Sequence, residues 1–513
     1  MKKIEKILIV GGGTAGWMTA GTIAAAHGER VSITLVESPN IKPIGVGEGT
    51  WPTMRSTLEK MGISETNFIR ECDVSFKQGA KFAQWVTGAK DDAYYHPLVL
   101  PQGFFEGNLA PYWLQHGKDK SFSAATCFQE HLCEKNLAPK QLSTPEYSAV
   151  ANYAYHLDSA KFSAFLQRHC IENLGIQHVL DDVTTVNGLD DGDIASVETQ
   201  SNGALEADLF IDCTGFKSLL LGEHLNVPFK SCADVLFIDR ALAVQVPYKN
   251  ADDPIASHTI STAQESGWIW DIGLPTRRGV GHVYSSRHTT KERASEELRQ
   301  YLTDTGVENP SQYEFREIPI NSGHREKFWH RNCVAVGLSA GFLEPLEASA
   351  LVLVELSASM IAEQLPANRQ TMDIVARRFN DTFDYRWQRI IDFLKLHYVL
   401  TQRKDTAFWR DNCDPATIPE SLKELMTLWK YHHPWNHDFS RINEVFPAAS
   451  YQYVLYGMGF ETEAGAHPLS AKEIKFGNMQ FQQNMKHAEK LSKHLPTNRD
   501  LLMKLKTHGF QKV

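Results

Sequence analysis

No C-x-x-C pair occurs in this chain of 513 residues, and its eight cysteines (Cys72, Cys127, Cys133, Cys170, Cys213, Cys232, Cys333 and Cys413) follow no metal-ligand rhythm. That argues against a zinc or iron–sulfur framework and predicts reduced, mostly buried thiols, as in a cytoplasmic protein. Long hydrophobic runs are missing too. After the basic start, the apolar run Ile7 to Val10 ends at glycines, too short for a signal segment, and no apolar stretch nears the ~20 residues that span a bilayer. A soluble, cytoplasmic protein without a membrane partner is expected. Basic residues are not in excess: 52 Lys and Arg stand against 61 Asp and Glu, so no nucleic-acid partner is expected. Internal repeats and low-complexity linkers are absent. Among the dispersed histidines the densest group, YHHPWNH, lacks an acid or cysteine framework, so no metal site is expected.

What is present is a nucleotide site. The length exceeds what one core usually holds, so two or three sub-structures are expected. KILIVGGGTAGWMTAGTIAAA reads as a buried strand, a glycine turn and a helix. Gly11, Gly13 and Gly16 fit G-x-G-x-x-G: a tight turn, a close approach for a pyrophosphate, and helix-on-strand packing. The helix start adds free N–H groups and a positive dipole end. A second strand, VSITLVE, ends in Glu37, about 20 residues on, where an acid that binds a ribose belongs. Two later segments, ALEADLFIDCTGF (Ala204 to Phe216) and NCVAVGLSAGFLEPLEASALVLVEL, again read as strand and turn. Nucleotide strands so far apart suit FAD laid across an interleaved domain better than a compact NAD(P) domain.

Other stretches carry bulk or charge. In SGWIWDIGLP, Trp268 and Trp270 share one face of a strand. SFKQGAKFAQW alternates as a single strand, with Lys77 and Lys81 on one face and Phe76, Ala80 and Phe82 on the other. Trp387, Ile390, Ile391, Leu394 and Tyr398 recur at helical spacing and are expected in the core. The C-terminal end reads as two amphipathic helices broken at Pro496.

The motifs GGGTAGWM, IGVGEGTWP (Ile44 to Pro52), FKQGAKFAQW, YWL, YHLDSAKFSAFL, DLFIDCTG, SGWIWDI, GLSAGFLEPLEASA (Gly337 to Ala350), DFLKLHY and DTAFW resemble those of the flavin-dependent halogenases, especially the branch acting on tryptophan and other indoles. The likeness runs over nearly the whole chain. It includes the W-x-W-x-I signature, although Gly273 stands where the family usually has proline. The resemblance implies an α/β fold with an FAD-binding, Rossmann-like domain of the two-part flavoprotein monooxygenase type, an inserted substrate region and a helical C-terminal lobe. The expected bounds are 1–360 for the FAD domain, with insertions at about 70–150 and 217–320, and 361–513 for the lobe. Cofactor contacts are expected, beside the three glycines and Glu37, from Thr14, Ala15, Ser38, Ile41, Ile44, Val46, Gly49, Val183, Leu338 and Leu351.

In such enzymes FADH2 from a separate flavin reductase reacts with O2, and chloride or bromide then yields hypohalous acid. The resemblance implies that Trp268 and Trp270 form a barrier of stacked indoles that keeps the aromatic substrate from the flavin, where it would be hydroxylated. It makes Lys77 the catalytic lysine and Glu347, the second acid of LEPLEAS, its partner. A carboxylate ~4 Å from an ammonium attracts it by about 4 kcal/mol at an effective dielectric near 20. That raises the lysine pKa and favours hydrogen-bond polarisation of the oxidant over a lasting haloamine. Ser349 and Ala350 stand where the family binds halide with backbone N–H groups, commonly at Thr-Gly. Ala350 cannot take the φ > 0 conformations open to glycine, which puts the halide geometry in question.

For the substrate, the resemblance implies a ring pocket with His96 on one side, Leu98 where an aromatic is usual, and Phe446 opposite in place of a tryptophan. Arg441 stands in place of a glutamate that would pair with a substrate ammonium. An indole or other electron-rich aromatic is expected, not strictly free tryptophan. An FAD-dependent aromatic hydroxylase and an idle FAD-binding protein are the competing functions. Whether the chain forms a homodimer stays open.

Overall fold

The computed structural model describes residues 3–41, 47–441, 443–463 and 468–511. Two compact units divide the chain, each assembled from three stretches. The first comprises Met1–Val74, Leu157–Cys232 and Asn321–Trp387; the second comprises Ser75–His156, Ala233–Ile320 and Gln388–Val513.

The first unit is built on a six-stranded sheet in the order Trp329–His330, Cys333–Ala335, Leu209–Asp212, Lys6–Val10, Ser32–Glu37, Gln177–Leu180. All neighbours run parallel except the first pair. Ile7, Leu8 and Ile9 are all buried, as a parallel strand covered on both faces requires. Helix Thr14–His27 packs between helices Ser159–Leu174 and Ser349–Glu363. Asp158 caps the second of these, accepting from the N–H groups of Ala160 and Lys161 at 3.1 Å, and left-handed Gly175 ends it.

The second unit holds a seven-stranded sheet, ordered Arg316–Pro319, Arg240–Pro247, Arg277–Tyr284, Gly267–Gly273, Thr259–Ala263, Gly79–Ala83, Ala93–Pro97. Helix Lys291–Asp304 covers one face with a cluster of Leu242, Val244, Ile269, Ala294 and Leu298. Because side chains alternate along a strand, Ile269 faces that helix and Trp268 and Trp270 face the other way. The terminal helices Ala471–His494 and Asn498–His508 flank Pro496 as expected, the first opened by a Ser470–Glu473 capping box. Trp387, Ile390, Ile391, Leu394 and Tyr398 are buried along helix Arg369–Val399.

One expectation fails. SFKQGAKFAQW is two strands, Ser75–Lys77 and Gly79–Ala83. Gln78 breaks the run, its N–H donating to Ser257 O and its Nε2 to Leu137 O, each at 2.7 Å. The first strand pairs with the segment around Ala154, the second with Thr259–Ala263 and Ala93–Pro97. Lys77 and Lys81 therefore part company: Lys77 is buried, while Lys81 is partly exposed and bridges to Glu134 at 2.8 Å.

All eight cysteines are free, six buried and Cys213 and Cys413 partly so. No helix among the described residues is long and apolar enough to cross a membrane.

Candidate active site

The glycine turn divides its labour by position. Gly11 has φ +112 and its N–H donates to Val36 O at 2.8 Å. A Cβ on Gly16 would stand 1.9 Å from Gly11 O, so the helix closes directly onto the turn. A Cβ on Gly13 would meet nothing within 4 Å, leaving open space before the first N–H groups of the helix that begins at Thr14 and Ala15. Glu37 ends its strand with Oε1 accepting from His178 Nε2 at 2.8 Å and Gln167 Nε2 at 2.7 Å, while Oε2 lies over Gly12. Burial pushes this carboxyl up from its ordinary value, against the opposing pull of His178. Open N–H groups for phosphate and a carboxylate for a ribose diol suit the two halves of a dinucleotide such as FAD.

The other expected cofactor residues are less uniform. Leu338 lies in the turn Gly337–Ser339, where a Cβ on Gly337 would stand 2.7 Å from Ala15 Cβ; that turn therefore abuts the nucleotide helix. Leu351 is buried in helix Ser349–Glu363, and Val183 starts the strand Val183–Gly188. Ser38 accepts from Asn40 N–H at 3.0 Å, Gly49 ends the strand Gly47–Gly49, and Ile41 is 78% exposed. Ile44 and Val46 lie outside the described residues.

Glu347 sits where the backbone is most unusual. It has φ 62 and Ala348 has φ 57, two successive non-glycine residues in the left-handed region. Such residues cost about 1–3 kcal/mol each and gather at functional sites. Trp51 Nε1 donates to Glu347 O at 3.0 Å and pins the strained peptide. Ser349 and Ala350 follow as the first turn of the helix. Ala350 is helical, and the left-handed turn is completed before it.

In the second unit, Lys77 is 4% exposed. Its strand partner is Ala154, and Ser75 faces His156, so Lys77 and His156 are diagonal neighbours on one sheet face. Burial, with Lys77 and His258 adding repulsion, holds His156 well below the ordinary imidazole range. It stays neutral, paired through Nε2 with Thr259 Oγ1 at 2.8 Å.

Trp268 and Trp270 are buried with ring centroids 6.5 Å apart at 67°. They meet edge to face, not stacked as expected. His96 is buried, its Nε2 2.9 Å from Ser450 Oγ. Phe446 stacks on Phe393 at 3.8 Å, and its centroid is 6.4 Å from that of His96. That is direct ring contact, so the structure brings these two residues together but leaves no ring-sized gap between them. Leu98 is half-buried, its N–H donating to Gln129 Oε1 at 2.8 Å. Arg441 is exposed. Among the described residues no cluster of His, Cys, Asp or Glu could hold a metal.

Sequence reasoning missed Trp51, whose only signal was its place in IGVGEGTWP. It also missed Glu355, buried in the helix after Ser349, accepting from Thr57 Oγ1 at 2.7 Å and Thr53 Oγ1 at 3.3 Å; burial pushes it up to about 8.

A family model for tryptophan halogenase matches residues 6–473. A solved tryptophan halogenase from Shewanella frigidimarina is 50% identical, with a TM-score of 0.97 covering 100% of this chain and 99% of its own. Tar14, a tryptophan C-6 flavin-dependent halogenase (chlorinase) from taromycin biosynthesis, is 33% identical with a TM-score of 0.91, covering 99% of this chain and 100% of its own. The tryptophan 7-halogenase RebH of Lentzea aerocolonigenes is 34% identical over 448 residues, 83% of this chain and 82% of RebH.

Proposed function

Because this chain belongs to the tryptophan halogenase family, we propose that it uses FADH2, O2 and chloride or bromide to halogenate an electron-rich aromatic, an indole derivative in preference to strictly free tryptophan. It is a flavin-dependent halogenase with an α/β, FAD-binding, Rossmann-like fold and a helical C-terminal region. We assign FAD binding to the first unit, through the Gly11–Gly16 turn and Glu37, and its reduction to a separate flavin reductase. When bound, reduced FAD with O2 and halide supplies hypohalous acid.

The observation that carries the reading is the buried ammonium. Lys77 is 4% exposed and shares its sheet face with a neutral imidazole, His156. We assign Lys77 to donate a hydrogen bond to the oxygen of hypohalous acid, which makes the halogen electrophilic. As the carbon–halogen bond forms, the oxygen–halogen bond breaks and that oxygen leaves as water with one added proton. Glu347 would stabilise the arenium cation and accept its ring proton. The N–H groups of Ser349 and Ala350 are the proposed halide donors. Trp268 and Trp270 would keep the substrate from the flavin, and His96, Leu98 and Phe446, the first and last in contact with each other, would line one side of its pocket. Phe446 and Arg441, where tryptophan and glutamate are usual, support a preference for indoles without the amino-acid end.

The test is a product-mass screen with a flavin reductase, FAD, NADH, O2, indole and tryptophan, in bromide and in chloride. Halogenated product that vanishes in Lys77→Met is expected. Oxygen insertion would make the protein a hydroxylase, and no turnover on a broad aromatic panel would make it an idle binder. Full activity of Lys77→Met would overturn the lysine assignment.

A further inference from the structure

Two motifs to which the proposed function gives no role, DFLKLHY and DTAFW, meet the far end of a third, FKQGAKFAQW, at one side chain. Trp85 is fully buried. Its ring centroid lies 5.3 Å from Tyr398, 5.5 Å from Trp409, 6.1 Å from His397 and 6.2 Å from Trp268. Its Nε1 donates to Ser261 O at 2.9 Å, and Ser261 is the residue paired with Trp270 across the neighbouring strands. Trp409 grips the same hairpin, its Nε1 donating to Gln264 O at 2.9 Å. Thr401 Oγ1 fixes Trp85 in turn by donating to its carbonyl at 2.7 Å. On its other side the cluster continues through His397 to Phe393, 5.2 Å away, the ring on which Phe446 stacks.

A strand holds its backbone well, but a side chain on a sheet face keeps its rotamer only if neighbours fill the space around it. Trp85 supplies part of that filling for Trp268, at 6.2 Å between ring centroids. We propose that Trp85 is a positioning residue: it locks the indole of Trp268, and with it the barrier that keeps the aromatic substrate from the flavin and the oxidant from escaping past it. The proposal rests on the reading of Trp268 and Trp270 as a barrier. In chemical terms the escaping species is hypohalous acid itself, so no further oxidant or reductant is involved.

The test compares Trp85→Leu, Trp85→Phe, Trp268→Ala and, as a control, Trp329→Leu in the full-length enzyme. Trp329 is buried in the first unit against Phe379 and touches none of these rings. Two quantities are read. One is the escaped halogen captured by a dissolved dione scavenger for each FADH2 consumed. The other, independent of turnover, is the fluorine NMR spectrum of the apoprotein labelled with 5-fluorotryptophan, with the Trp268 resonance assigned by its loss in Trp268→Ala. Trp85→Leu is expected to raise escaped halogen several-fold and to shift or broaden the Trp268 resonance, with KM for the aromatic unchanged. Trp85→Phe should recover most of both, and Trp329→Leu should lower Tm without raising escape. If Trp268→Ala leaks while Trp85→Leu neither leaks nor moves the Trp268 resonance, the role of Trp85 is refuted. If Trp268→Ala neither leaks halogen nor hydroxylates the aromatic, the barrier reading fails, and the resonance alone then decides whether Trp85 holds Trp268. Should Trp85→Leu not fold, Trp85→Met takes its place: it opens the same space beside Trp268, so an unmoved Trp268 resonance there sinks the proposal.

Discussion

The indole of Trp270 occupies the space in which a side chain of Gly281 would begin: a Cβ there would stand 2.1 Å from Trp270 Cζ2. The two residues are paired directly across neighbouring antiparallel strands. A sheet face can carry a tryptophan this closely packed because the residue opposite has no side chain. Gly281→Ala must therefore move the ring, and Leu242 O, 2.7 Å from the same Cβ, closes the other way out. The expected cost is about 1–3 kcal/mol of stability, with more hydroxylated or escaped product per turnover. Urea unfolding and product mass analysis would show both; a Gly281→Ala enzyme of unchanged stability and product would contradict the packing.

Two glycines of one turn should respond in opposite ways. At Gly13 the φ of −75 suits any residue and the space around a Cβ is open, so Gly13→Val should fold normally yet bind FAD at least about tenfold more weakly, ~1.4 kcal/mol. Gly16→Ala forces a Cβ to 1.9 Å from a backbone oxygen and should lower the stability of the apoprotein itself. Thermal unfolding with and without FAD separates the two effects.

The hydrogen bond between His96 and Ser450 fixes the plane of the imidazole. Its loss in Ser450→Ala should cost about 1 kcal/mol, read as roughly a fivefold rise in KM for the aromatic with kcat nearly unchanged, and as a broader mixture of ring positions halogenated. Ser450→Thr, which keeps the hydroxyl, should restore both. An unchanged product pattern in Ser450→Ala would show that His96 is held by its ring contacts alone.

Glu355 should shape the alkaline limb of stability. Its folded carboxyl keeps its proton up to about 8, against an ordinary 4.5 in the unfolded chain. Between those values the folded state binds the extra proton, so its contribution is full below the lower value and is lost as pH rises through the upper one. The loss is at most about 4–5 kcal/mol. Glu355→Gln, which can still bond to Thr53 and Thr57, should unfold later than the parent at about pH 9 and much the same at about pH 5. Parallel pH curves for the two proteins would rule this out.

Several parts of the site were legible beforehand because their physics is local. Gly11 must take a positive φ and Gly16 must admit a backbone oxygen, so the residue type itself reports the geometry. The shared face of Trp268 and Trp270 follows from the twofold period of a strand. The ring packing was not legible: edge-to-face indoles, the Trp85 cluster and the contact of His96 with Phe446 depend on residues distant in sequence. The single strand expected through Lys77 failed for the same reason, since the break at Gln78 is imposed by Ser257 and Leu137.

The chain's own order of residues was thus enough to set the nucleotide turn, the strand and helix periods and the chemical types available, each governed by neighbours within a few positions. Tertiary structure alone decided that Lys77 would be buried and Lys81 half-exposed, and that the left-handed turn would fall on Glu347 and Ala348 and not on Ala350. Burial and backbone strain belong to what packs against a residue, and that partner is chosen only when distant segments close on one another.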